Sequence, residues 1–139
     1  MPRIDTLNSK FEIINSKQIS ISQTTNSKQY DLEERTFKFS KSIIIYVNNL
    51  PKSTSNIETG RQLMRSAGSV GANYIEANEA LSRKDFIMRI KISKKEAKES
   101  HYWLRLTEPR EEYSRDRCSL VQESVELMKI LGAILEKTQ

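Results

Sequence analysis

Between residues 83 and 105 the side chains Phe86, Ile90, Ser93, Ala97, Ser100 and Leu104 recur in steps of four, three, four, three and four. That rhythm holds a row of small and apolar groups on one side of an α-helix and excludes the two-residue alternation of a half-buried strand. The same spacing recurs at Leu63, Ala67, Val70, Tyr74 and Ala77, and again at Leu120, Leu127, Leu131 and Ile134 with Val121, Val125, Met128 and Leu135 beside them. Phe37, Ile44 and Val47, with Phe39, Ile43, Tyr46 and Leu50, cover more than one helical side. Such width predicts burial on two faces or contact with another subunit. Three prolines and four glycines in 139 residues leave few interruptions.

The punctuation falls between these rows. The expected helices span residues 32–50, closed by Pro51; from Ser55, which with Glu58 forms a capping box, to Ala80; from Ser82, which caps toward Asp85, to Leu106; and from Tyr113 or Asp116 to Lys137. Thr107-Glu108-Pro109-Arg110 breaks the third from the fourth. Four long helices with short connections predict an all-α, up-down-up-down four-helix bundle over residues 31–139. Residues 1–30 are rich in Ser, Asn, Thr, Gln and Lys, with scattered Ile; they bury too little apolar surface to offset ordering, and predict a flexible, disordered polar tail. The centre of the second helix, residues 66–72, is unusually small. Its two glycines each cost about 1 kcal/mol relative to alanine, which predicts close packing of a neighbour. Amides inside a helix are not free to cradle a phosphate.

No run approaches the roughly 18 apolar residues of a membrane span, and the mean hydropathy is -0.62. No apolar signal region follows the N-terminus, and Cys118 is a lone cysteine; a cytoplasmic protein is expected. The net charge is +5. Residues 83–105 hold eight Lys or Arg against Asp85, Glu96 and Glu99, so this stretch carries the whole excess. Lys84, Met88, Lys91, Lys95, Lys98, Tyr102 and Arg105 form a stripe roughly opposite the core row. Such a ridge is either an ordinary solvated face or a phosphate-binding surface of strong salt dependence. Lys84, Lys91, Lys94, Lys95, Lys98 and Arg105 are the candidate phosphate contacts, with Arg61 and Arg65 as additions. Tyr102 and Trp103 are rings that stack on bases or pack on a neighbouring helix.

Motifs for catalysis are lacking. His101 is the single histidine, with no nucleophile elbow, phosphate loop or zinc spacing around it, and no cofactor is expected. Helical ribonucleases of the HEPN type place an arginine a few residues before a histidine; here Lys95-Glu96-Ala97 stand there. Glu76 and Glu79, and Glu96 and Glu99, are i,i+3 acid pairs, readable as a weak site for a hard cation or as ion-pair partners of basic groups. The expectation is a protein that is not an enzyme.

Asp31-Leu32-Glu33-Glu34-Arg35-Thr36, Arg61-Gln62-Leu63-Met64-Arg65-Ser66 and Ser69-Val70-Gly71-Ala72-Asn73-Tyr74-Ile75-Glu76-Ala77, followed by Lys84-Asp85-Phe86, Lys95-Glu96-Ala97-Lys98-Glu99 and Tyr102-Trp103-Leu104, resemble one family. It comprises the bacterial four-helix-bundle proteins encoded in intervening sequences of 23S ribosomal RNA genes. A more remote resemblance is to the accessory variability protein of diversity-generating retroelements. The likeness runs from about residue 31 to the C-terminus; the segment before Asp31 lies outside it, and the Pro109 linker is irregular for the family. It implies a homo-oligomer, a homopentamer by analogy, that associates with RNA or DNA, in the retroelement relative together with a reverse transcriptase. It carries over no catalytic residue. The rival expectation is a structural or adaptor oligomer that binds a protein partner and no nucleic acid.

Overall fold

In the computed structural model, the backbone is described for residues 25–139 and side chains for residues 32–139. Four long helices, α1 (Thr25–Asn48), α2 (Thr54–Asn78), α3 (Arg83–Leu106) and α4 (Ser114–Thr138), follow one another, with a 3-10 turn at Glu111–Tyr113 before α4. Each helix packs on its chain neighbour, and α1 packs on α4 to close the ring. The pairings run antiparallel: Val47 and Thr36 of α1 face Gly60 and Gly71 of α2, respectively, and Ser66 and Val70 of α2 meet Ser100 and Ser93 of α3. This is the up-down-up-down bundle. No helix among the described residues is long and apolar enough to cross a membrane.

The helix boundaries differ from expectation mostly at their starts. α1 begins at Thr25 rather than near residue 31. Once a helix is nucleated, each further residue adds a backbone bond at little cost, so a helix can extend into a polar stretch that its composition alone would not start. The remainder of the expected polar tail, residues 1–24, lies outside the described residues. At the far end of α1, Asn49 and Leu50 switch to hydrogen bonds reaching back three residues, and Asn49 Nδ2 donates to Ile45 O at 2.8 Å, before Pro51. α2 is capped by Ser53, not Ser55: Ser53 Oγ accepts from Asn56 N at 3.1 Å, and Glu58 takes no part. Ser82 caps α3 through Asp85 N at 3.0 Å, as its spacing predicts.

The core row of α3 is buried from Ile90 to Leu104, with Phe86 at its margin. The α2 row is wholly buried. In α4 the buried face is Asp116, Leu120, Ser124, Leu127, Leu131 and Leu135; Ile134 packs at the edge instead of Leu135. In α1, Leu32, Phe39, Ile43 and Tyr46 are inside, as is Leu50 just beyond its end, whereas Phe37 and Ile44 stand out in solvent.

Hydroxyl groups thread this core, and most are satisfied locally. Ser93 Oγ donates to Val70 O across to α2 at 2.7 Å. Ser100 Oγ donates to Glu96 O and lies 2.9 Å from Ser66 Oγ. Thr107 Oγ1 donates its one proton to Leu104 O at 2.6 Å, so Tyr46 must donate to Thr107 across their 2.7 Å contact. Burial pushes the Tyr46 phenol above its ordinary pKa, partly offset by Thr107 and Arg117. The small faces of α2 and α3 allow this closeness. A methyl group at Gly71 would sit 2.9 Å from Thr36 Oγ1, and one at Gly60 2.9 Å from Val47. Gly68, by contrast, is exposed, with ordinary room for a methyl.

Asn56 ties the two loops at one end of the bundle. Its amide donates to Pro51 O at 2.9 Å and Glu108 O at 3.0 Å, and its oxygen accepts from Glu108 N at 2.9 Å. Arg110 adds a bond to Asn49 O, and Arg117 one to Thr107 O. α1 and α4 are joined by a fork in which both oxygens of Glu123 accept from Arg35, each at 2.8 Å.

Candidate nucleic-acid interface

The buried row of α3 fixes what its opposite side presents. Lys84, Lys91, Lys98 and Arg105 stand seven residues apart. Seven residues are close to two helical turns, so the four cations stack along one side, about 10.5 Å per step, drifting about 20° each time. A second row lies four residues on: Met88, Lys95 and Tyr102, again seven apart. All seven side chains are exposed. None of the cations Lys84, Lys91, Lys95, Lys98 and Arg105 forms an ion pair among the described residues.

The acids of α3 take a different side. Asp85 sits in the first turn, where a carboxylate favours the positive end of the helix dipole. Glu96 and Glu99 face α2. There Arg65 reaches both: its Nη1 lies 3.4 Å from Glu96 Oε2, and its Nη2 pairs closely with Glu99 Oε1. Glu96 is almost fully buried, so this arginine neutralises a charge that would otherwise be costly to hold there. One guanidinium therefore holds both carboxylates on the α2 side, away from the cationic rows, and offsets one of their two charges.

The eight candidate contacts do not form one surface. Lys84, Lys91, Lys95, Lys98 and Arg105 share the exposed side of α3. Lys94 turns toward α4, its ammonium 3.4 Å from where a methyl on Gly132 would lie. Arg61 is exposed on α2. Arg65 pairs with Glu96 and Glu99 on the α2 side of α3, apart from the exposed row.

The two aromatic rings also separate. Trp103 is half-buried and donates Nε1–H to Glu99 Oε1 at 3.1 Å, the same carboxylate that Arg65 grips. Tyr102 is 54% exposed and meets Trp103 edge-on, with ring centroids 5.1 Å apart and planes at 72°. The heptad register of the cations was visible in the numbering of the sequence; the chain Arg65–Glu99–Trp103–Tyr102 was not, because it crosses between helices. His101 is half-buried. Glu76, on α2, and Glu79, at its C-terminal cap, stay exposed, and among the described residues no three acidic, histidine or cysteine side chains converge as metal ligands would.

The comparisons agree with this picture of the fold. The family model for 23S rRNA-intervening sequence protein matches residues 28–133. The chain is also similar to a solved crystal structure of a protein of unknown function from the S23 ribosomal protein family of Bacteroides thetaiotaomicron. The two share 29% identity and a TM-score of 0.68, over 78% of this chain and 98% of the other. A search of the curated proteins finds no match.

Proposed function

Because the chain belongs to the 23S rRNA-intervening sequence protein family, we propose that it is a homo-oligomeric accessory protein that binds nucleic acid without acting as an enzyme. The observation that carries this reading is the segregation of charge on α3. Five cations line the outer side, while Glu96 and Glu99 are turned inward to Arg65. A face that were merely solvated would gain from interspersing its acids among the lysines, since i,i+4 pairs of opposite sign stabilise a helix. Here the cations are left to an external anion. Binding through them is electrostatic, with little base reading, and its affinity falls steeply with salt.

Replacing Lys91, Lys95 and Lys98 together by glutamate tests the reading. The helical circular dichroism should persist, while affinity for RNA or DNA in a filter-binding assay drops about a hundredfold or more at low salt. Unchanged affinity would remove the α3 ridge from the function.

A second reading, an adaptor oligomer with a protein partner, is favoured by the exposed apolar groups of α1. Phe37 and Ile44 are 57% and 40% exposed, with Lys41 between them, its ammonium 5.6 Å from the Phe37 ring centre. They support self-assembly, or contact with another protein, at a site away from α3. Assembly and nucleic-acid binding are compatible on this geometry, and repetition of the ridge in an oligomer would multiply its avidity.

A further inference from the structure

We infer that the α3 surface takes a single strand, with Tyr102 stacking on an unpaired base while the cation row follows the phosphates. This inference rests on the nucleic-acid reading above. Its ligand is an unpaired base on a sugar–phosphate strand, whether ribose or deoxyribose.

The shape of the row selects against a duplex. Lys84 to Arg105 covers about 31 Å of a nearly straight helix at 1.5 Å per residue. Over that length, a duplex completes almost a full turn of about 34 Å. Either of its backbones winds round to the far side, away from a straight line of cations. A flexible single strand can lie along the line.

The ring gives the row something to do with a base. Tyr102 stands four residues after Lys98 and three before Arg105, so it is flanked by a cation on each side of the same helical face. Bases stacked inside a duplex offer no ring face to a side chain standing on a convex helix. Unpaired bases do, and stacking on an aromatic ring tolerates any sequence.

Tyr102 is also held in place beforehand. Its ring rests edge-on against Trp103, whose N–H is fixed by Glu99, and Glu99 is fixed by Arg65 of α2. An exposed ring braced in this way loses less freedom on binding than one on a mobile side chain. The packing that buries Trp103 therefore leaves one ring for the ligand and uses the other as its support.

The test uses the full chain and four probes: a short oligouridylate, the matching oligodeoxyuridylate, an abasic strand of equal length and a duplex of equal length. Trp103 is the single tryptophan, so its emission reports events at Tyr102. The base-bearing strands should bind about tenfold more tightly than the abasic strand and shift Trp103 emission. Tyr102→Ala should abolish that preference, and Tyr102→Phe should keep it. The stronger of the two homopolymers identifies the sugar. Equal affinity for abasic and base-bearing strands, or preference for the duplex, overturns the single-strand inference and leaves the cationic ridge standing. Loss of all binding in the Lys91, Lys95 and Lys98 triple variant separates the two ideas, since that variant tests the ridge alone. If no probe binds the unaltered chain, both fall.

Discussion

Asn56 makes more hydrogen bonds to loop backbone than any polar side chain on the α3 ridge, although it contributes nothing to charge. Its amide joins the carbonyls of Pro51 and Glu108, and its oxygen takes the amide proton of Glu108, all while nearly fully buried. Removing it takes the partner from both the carbonyl and the amide of Glu108, each loss costing about 1–3 kcal/mol, while Pro51 O keeps its bond from Ser53 N. Asn56→Ala should lower the unfolding free energy by about 3 kcal/mol in urea titration. A change below about 1 kcal/mol would mean that water replaces the amide at little cost. The role of Asn56 was not legible in sequence, because the nearby Ser55 and Glu58 offer a more familiar capping pattern. The fold instead caps with Ser53, which places Asn56 one turn inward, facing the second loop. Arg65 is a similar case. By composition it is one more cation; by position it is the counter-charge of Glu96 and Glu99.

At the level of the helices, most of the architecture was written in spacing. The α2 and α3 rows emerge buried as their periodicity requires, since each needs only that one side of a rod face a partner. What spacing cannot say is which partner, and how near. Gly68 and Gly71 lie three residues apart in one helix and look alike in sequence. Only Gly71 faces Thr36 of α1 at a distance a methyl would violate. Gly71→Ala should therefore destabilise by about 1–3 kcal/mol through overpacking. Gly68→Ala should stabilise by about 0.5–1 kcal/mol, by helix propensity and a less disordered unfolded chain. Thermal unfolding of the two variants side by side checks this, and equal shifts would refute the assignment of close contact to one glycine. The same limit explains α4, where Leu135 takes the place expected of Ile134: both lie on the apolar side, and the tilt against its neighbours decides between them.

For the molecule as a whole, many of the residues that carry the family resemblance prove to be structural, although Lys84, Lys95, Lys98 and Tyr102 of the same motifs stand on the ridge. Arg35 forks onto Glu123, Glu33 accepts from Asn78, Thr36 meets Gly71, and Ser66, Val70 and Tyr74 lie inside. A likeness resting on such positions recovers the bundle well and speaks only indirectly of what its outer surface meets. The surface was legible where charge has a period, and illegible where side chains from two helices cooperate. The proposed self-assembly is tested at this scale too. Phe37→Ser with Ile44→Ser should leave helicity intact and shift sedimentation toward the protomer; an unchanged size distribution would direct attention to other exposed apolar side chains such as Ile57 and Ile75. The two ends of the rod also differ in how they tolerate alteration. Around Asn56 the connections are laced to each other, whereas the turn between α2 and α3 carries Leu81 wholly in solvent. A protein engineer wishing to splice in a fluorophore tag or a second module would cut at that turn, since the laced end would unravel with its loops.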